Sequence, residues 1–466
     1  MVSSSLAPRL GLALVSTLVA LGGAWYVLGI EGEQESSIEF VDDAEAARAA
    51  LIERMEGAQD GNEDAPDATA GPGANEHSAQ ASEAGEGDVA SVADPDEPGD
   101  GSGDGVETPV DPELAPDQEV TTPVVVESPA ELGLEFARRL REDLTDEDRA
   151  ILFPQLERGS NRPVPGVHFG LLPNKRWKRR FAEHPDGGFK RHTNSLGMRE
   201  DTNPSEGTEG FCVLVMGDSH TEGVCANSES LANQFEAGLR ADRPTEQVDV
   251  WNVAVGGYSP TNYLGTLDAY GHLQPDAVVL VFYGGNDFRE SLYPWRYLYR
   301  RPPGIHSKVD ITPLLEGPKQ GVAMLGQEIN QALAFAADPA AGQDALRLAL
   351  ACGIELDRQC RERGARFLFV YLPPPSIGQA DRYRERVRAG LATLGGDPDA
   401  LEFCDGLADE TLQGLEQAGV ATLDLRPSFA SADEPLYWNA DLHLNLDGHA
   451  LVGQLVHKRF NALPER

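Results

Sequence analysis

Hydrophobic residues along the chain fall into two kinds of run. Near-continuous apolar segments of strand length occur at "FCVLVMG" (211–217), "VDVWNVAV" (248–255), "DAVVLVFYG" (276–284), "RFLFVYL" (366–372) and "ATLDL" (421–425). Between them, "SLANQFEAGLRA", "PTNYLGTLDAYGHL", "DALRLALACGIELDRQCRERG" and "LADETLQGLEQAG" place apolar residues at helical spacing. Strands that are apolar on both faces and alternate with amphipathic helices predict a parallel sheet covered by helices on both sides. The folded region begins near Glu131, where "ELGLEFARRLREDLTDEDRAILF" also has helical spacing, and no internal repeat is found.

The pattern ahead of Glu131 is different. Leu10–Ile30, "LGLALVSTLVALGGAWYVLGI", has 21 residues and no charge. At 1.5 Å per residue it would span the roughly 30 Å of a bilayer core, longer than the core of a signal peptide. A membrane anchor over residues 1–30 is therefore expected. Arg9 and the amino terminus lie on one side and acids crowd the other, which predicts that the bulk of the chain lies outside the cytoplasm, in a periplasm or on a cell surface. "ALGGA" leaves cleavage and a secreted form open.

Charge sharpens the division. The whole chain carries −38, and residues 31–130 hold 28 Asp and Glu against only Arg48 and Arg54, a net −26. "FVDDAEAARAALIERMEG" (40–57) reads as a short helix. Residues 57–130, rich in Asp, Glu, Gly, Pro and Ala, cannot bury enough apolar surface to offset ordering and read as a disordered linker. The expected organisation is an anchor (1–30), an acidic linker (31–130) and a domain (131–466) with an extension at 131–210 and an insertion at 288–345. Export and an isoelectric point of 4.5 exclude nucleic acid as a partner. Oligomeric state is not readable from the sequence. Five cysteines (Cys212, Cys225, Cys352, Cys360, Cys404) contain no C-x-x-C pair, which argues against a zinc site. Cys352 and Cys360, eight apart on one helix, are too far apart to bridge.

Parallel sheets present functional groups at the carboxyl ends of their strands. Ser219, in "VLVMGDSHTEG", lies just past the first strand, where a helix begins and free amide groups favour negative charge. "NVAVGGYSP" follows the second strand with Gly256 and Gly257, and "YGGND" follows the third with Asn286. "DLHLNLDGH" near the end supplies His443 and Asp441. A nucleophile, a base, an acid to orient it and two amide donors thus come to one sheet edge.

These residues resemble the SGNH, or GDSL-type, hydrolase superfamily, through Ser219 in "GDSHTEG", Gly257 in "NVAVGGYS", Asn286 in "GGND" and His443 in "DLHLN". "HTNSLGMRE" (192–200) resembles a stretch that precedes the serine in a bacterial, often membrane-anchored branch. The resemblance covers roughly residues 190–466. It implies a flavodoxin-like three-layer α/β/α sandwich and a serine esterase that needs no metal or cofactor. In that scheme Ser219 is nucleophile, His443 base and Asp441 orienting acid. The Ser219 and Gly257 N–H groups and Asn286 form the oxyanion hole, and Asp218 is a structural support. Many members carry Asp-x-x-His, whereas this chain has Asp441-Leu442-His443; Asp447-Gly448-His449 is a competing block, with His449 expected on the packing face of the last helix.

The substrate stays open between an acylated glycan and a lipid of the cell envelope, with acetyl as the expected acyl group. O-acyltransfer by the same residues and a noncatalytic binding module are alternatives. "FRESLYPWRYLYRR" (288–301) fits sugar, lipid or anionic groups as well as simple packing. The basic stretch "NKRWKRRF" (174–181) with Lys190 and Arg191 reads either as a solvated face or as a site for an anionic substrate.

Overall fold

A computed structural model describes residues 128–204, 210–300, 326–393 and 396–464. The expected anchor, the 40–57 helix and nearly all of the acidic linker lie outside them. Among the described residues no helix is long and apolar enough to cross a membrane.

Among the described residues, nine strands form three sheets. Two antiparallel hairpins come first: β1 (Asn161–Val164) with β2 (His168–Leu171), and β3 (Arg176–Arg180) with β4 (Gly188–His192). The central sheet has five strands: β5 (Phe211–Gly217), β6 (Val248–Asn252), β7 (Ala277–Tyr283), β8 (Arg366–Leu372) and β9 (Thr422–Asp424). Every pairing in it is parallel and the order is β6-β5-β7-β8-β9. These are the five expected apolar runs. The second ends sooner than its hydrophobicity suggested, because the Asn252 side chain turns the chain: its Nδ2 donates to the Thr221 carbonyl at 3.0 Å and its Oδ1 accepts from Ala254 N.

Strand residues alternate between two cores. Val213, Val215, Val250, Val279, Val281, Leu368 and Val370 pack against α2 (Leu231–Asp242) and α5 (Leu446–Asn461). Leu214, Met216, Val278, Leu280, Phe367 and Phe369 face α1 (Pro129–Glu142), α3 (Pro339–Glu362) and α4 (Ala400–Gln417). This is the three-layer arrangement, with most of each strand's apolar surface removed from water on both sides. The segment before β5 is integral to it: α1 buries Leu132, Phe136 and Leu140, and a Cβ on Gly133 would fall 2.4 Å from the Ala351 carbonyl of α3. Within the stretch expected as an insertion, Leu292–Arg300 is a helix that buries Leu292, Tyr297 and Leu298 in the same core.

The strand order puts a topological switch between β5 and β7, the place at the carboxyl ends where sheets of this kind form their sites. Ser219 stands there.

Candidate active site

β5 runs out at Gly217, whose close approach to Thr221 and to the Val281 carbonyl leaves no room for a side chain. Asp218 then caps the helical turn Ser219–Glu222, its Oδ1 accepting from His220 N at 2.9 Å. Ser219 is the first residue of that turn, and neither its N–H nor that of Gly257 finds an acceptor among the described residues. Asp218 is wholly buried, and burial pushes its carboxyl up to about 6. It serves the turn, as the resemblance implied for it.

His443 arrives from the loop that precedes α5. Its Nε2 lies 2.8 Å from Ser219 Oγ, and its Nδ1 hydrogen-bonds Asp441 Oδ1, which also accepts from His443 N at 3.2 Å. Burial lowers the affinity of the imidazole for a proton, but the Asp441 charge and hydrogen bond outweigh it and hold His443 above its ordinary 6.5. Asp441 resists burial in the same way and stays below the usual carboxylate range. The short Asp-x-His spacing closes because Leu442 adopts a left-handed conformation, φ 62°. His449, the competing histidine, is fully buried in α5, accepts from Leu231 N at 3.2 Å and lies under Gly223. Burial keeps it neutral, at about 3.

The loop after β6 lies against the nucleophile turn. A Cβ on Gly256 would sit 3.5 Å from Ser219 Cβ, and Gly257 has φ 90°, a conformation that favours glycine. Asn286, 2% exposed, ends the third strand's loop. Its amide donates to Glu290 Oε1 at 3.3 Å, while its Oδ1 has no partner among the described residues. Asp287, next to it, accepts from Tyr263 Oη at 3.0 Å and Tyr283 N at 2.9 Å. The structure thus joins Ser219, His443 and Asp441 in one hydrogen-bonded chain and sets the Gly256–Gly257 loop beside Ser219, while the Asn286 amide is bonded to Glu290.

Several supporting residues are not apparent from the sequence. Arg199, from "HTNSLGMRE", is completely buried and donates to the carbonyls of Glu222, Gly223 and Cys225, locking the end of the Ser219 turn. Glu222 joins that turn to the glycine loop: one carboxylate oxygen accepts from Gly256 N at 2.6 Å and the other pairs with Arg191 at 2.8 Å. His220 stacks on Tyr283 with centroids 3.8 Å apart and lies 4.5 Å from the His443 ring, restricting how that ring can turn. All three depend on partners distant in sequence; only the polar character of "SHTE" inside an apolar neighbourhood hinted at them.

An arrangement of this kind can deprotonate a hydroxyl as it attacks, because an imidazole accepts the proton and its far nitrogen is held by a carboxylate. The free amides at the start of the turn and in the glycine loop can meet negative charge developing nearby. All five cysteines are free thiols. Among the described residues no group of three or more His, Cys, Asp or Glu is arranged to hold a metal ion.

Comparison with known proteins gives a family. The sequence model of the GDSL-like lipase/acylhydrolase family matches residues 215–451. No curated protein sequence matches the chain. Among solved structures, an acetyl xylan esterase, AlAXEase, is 16% identical with a TM-score of 0.32, over 55% of this chain and 100% of its own. TesA is 12% identical with a TM-score of 0.32, over 54% and 99%. A lipase/acylhydrolase from Enterococcus faecalis is 14% identical with a TM-score of 0.32, over 55% and 98%. Because the family match spans half of the 466 residues and includes every block from the serine strand to the last helix, the chain belongs to the GDSL-like lipase/acylhydrolase family and is an ester-hydrolysing enzyme.

Proposed function

We propose that the chain is a serine esterase that removes acyl groups, acetyl first among them, from a glycan or lipid of the cell envelope. The observation that carries this reading is the 2.8 Å approach of Ser219 Oγ to His443 Nε2, continued through Nδ1 to Asp441. Ser219 Oγ attacks the ester carbonyl as its proton passes to Nε2, and Asp441 stabilises the imidazolium. The Ser219 and Gly257 N–H groups and the Asn286 amide bind the oxyanion. Collapse of the tetrahedral species expels the alcohol, which takes the proton from Nε2. Water then attacks the acyl-serine with His443 again as base, releasing the acid and restoring the serine.

The location outside the cytoplasm rests on the uncharged run Leu10–Ile30, with Arg9 before it and the acids after it. In this scheme the anchor holds the enzyme at the membrane and the acidic linker gives the domain reach. O-acyltransfer differs only in the acceptor of the second step. Turnover of p-nitrophenyl acetate with and without a sugar acceptor separates the two. The proposal expects release of acetate at a rate independent of the sugar. Acetyl transfer to the sugar in place of acetate release would establish the transferase, and absence of p-nitrophenol release would refute both.

A further inference from the structure

The β3–β4 hairpin turns a basic stretch of sequence into two different faces. Arg176, Lys178 and Arg180 on β3, and Lys190 on β4, point to solvent. Trp177, Arg179, Phe189 and Arg191 alternate with them and turn toward the domain, Trp177 opposite Arg191 and Arg179 opposite Phe189. The inner face rests on the site from two sides. Phe181 and Phe189 share an apolar cluster with Val224, just past the Ser219 turn, and Trp438, whose backbone N–H donates to the His443 carbonyl at 2.8 Å. Glu183, between the strands, accepts from Ala440 N at 3.1 Å and Asp441 N at 3.3 Å.

The two inner arginines have different employment. Arg191 is paired with Glu222. Arg179 lies with its guanidinium 5.6 Å from the Phe181 centroid and, among the described residues, has neither a carboxylate nor a hydrogen-bond acceptor. It is half-buried and its charge reaches Asp441, His443 and Glu222. Asp441 and Glu222 are engaged by His443 and by Gly256 and Arg191, so among the described residues no carboxylate contacts the guanidinium itself, and a partly desolvated cation left in that state is costly. This one also opposes the imidazolium that attack by Ser219 would form at His443. An anion seated on Arg179 removes both penalties, and the planar guanidinium suits two-point binding of a carboxylate or phosphate.

We propose that Arg179 binds an anionic group carried beside the scissile acyl ester, so that the enzyme selects acylated carriers bearing a carboxylate or phosphate over neutral ones. The statement about turnover rests on the esterase reading; the statement about binding does not. Titration calorimetry of the full chain with oligogalacturonate, glycerol 3-phosphate and a neutral xylo-oligosaccharide tests it. At least one of the two anions binds about tenfold or more tightly than the neutral sugar, and which one does so identifies the source of the charge. Arg179→Gln removes about tenfold or more of that affinity, Arg179→Lys keeps part of it, and Lys178→Gln on the outer face binds as the parent does. Anion binding unchanged in Arg179→Gln, lost equally in Lys178→Gln, or no tighter than the neutral sugar overturns the proposal. O-acetylated forms of the same compounds should follow the same order in kcat/KM. Arg179-dependent anion binding without hydrolysis of any acetyl ester would sink the esterase reading and leave the anion site standing.

Discussion

Leu442 shows how one residue reconciles an unusual motif with a working geometry. With a single residue between acid and base, an extended backbone would put the two side chains on one side but roughly 7 Å apart along the chain, and the left-handed turn at Leu442 goes with their direct hydrogen bond. The conformation costs roughly 1–3 kcal/mol for a residue with a Cβ, and the hydrogen bonds that Asp441 makes to both the backbone and the ring of His443 hold it. Asp441 also sets the proton affinity of the base. In the proposed mechanism His443 must be neutral to accept the serine proton, so activity should rise with pH through its pKa, which Asp441 raises against burial and against Arg179. In Asp441→Asn that support is lost: kcat should fall by about 10² to 10⁴, and the acid limb of kcat/KM should move to lower pH. A pH–rate profile checks this, and an acid limb that stays in place or moves upward contradicts it. The placement of Ser219, Gly257, Asn286, Asp441 and His443 at one edge of the sheet was legible because each stands beside a strand end or helix start with its own signature. The Arg199 and Glu222 contacts were not, because they join segments whose proximity only the fold creates.

At the scale of elements, all five sheet strands could be read from their apolar runs, since a strand buried on both faces has few polar alternatives. Their ends were harder to read, as at Asn252, where a side chain replaces ladder hydrogen bonds. The basic stretch around Arg179 was ambiguous for a similar reason: composition gives its charge, but only strand pairing sorts the cations onto two faces. The helix α1 illustrates a boundary that composition draws well and contacts explain. It follows the acidic linker directly, opens with a capping box at Ser128 and Glu131, and sinks Phe136 to 1% exposure. Truncation of that ring leaves a cavity against α3 and the helix Leu292–Arg300, so Phe136→Ala should cost about 3–5 kcal/mol of unfolding free energy. Denaturant melts measure this; a loss below about 1 kcal/mol would show that α1 is peripheral to the domain.

For the whole molecule, buried titratable groups predict how stability depends on pH. Burial pushes Glu200 up to about 8, and Glu290 and Glu328 up to about 7, whereas the unfolded side chains ionise near 4.5. Between those values the folded state holds more protons than the unfolded one, so stability falls as pH rises. His443, raised above 6.5, acts in the same direction. The buried neutral His168 and His449, at about 3, oppose this only below 6.5, where their unfolded forms become protonated. From about pH 6.5 to 8 the melting temperature should therefore decline, and a flat or rising profile would contradict these assignments. The parallel sheet followed from the sequence because alternation of strands and helices leaves few topologies. The carrier of the acyl group did not, because the pattern of strands and helices does not encode a recognition surface. The central claim is that Ser219 is the nucleophile, and covalent labelling tests it most directly. A fluorophosphonate probe followed by peptide mass spectrometry should modify Ser219 alone, and labelling should vanish in Ser219→Ala and in His443→Ala but persist in His449→Ala with the fold intact. Labelling at Ser259, or labelling that depends on His449 and not on His443, would contradict the account.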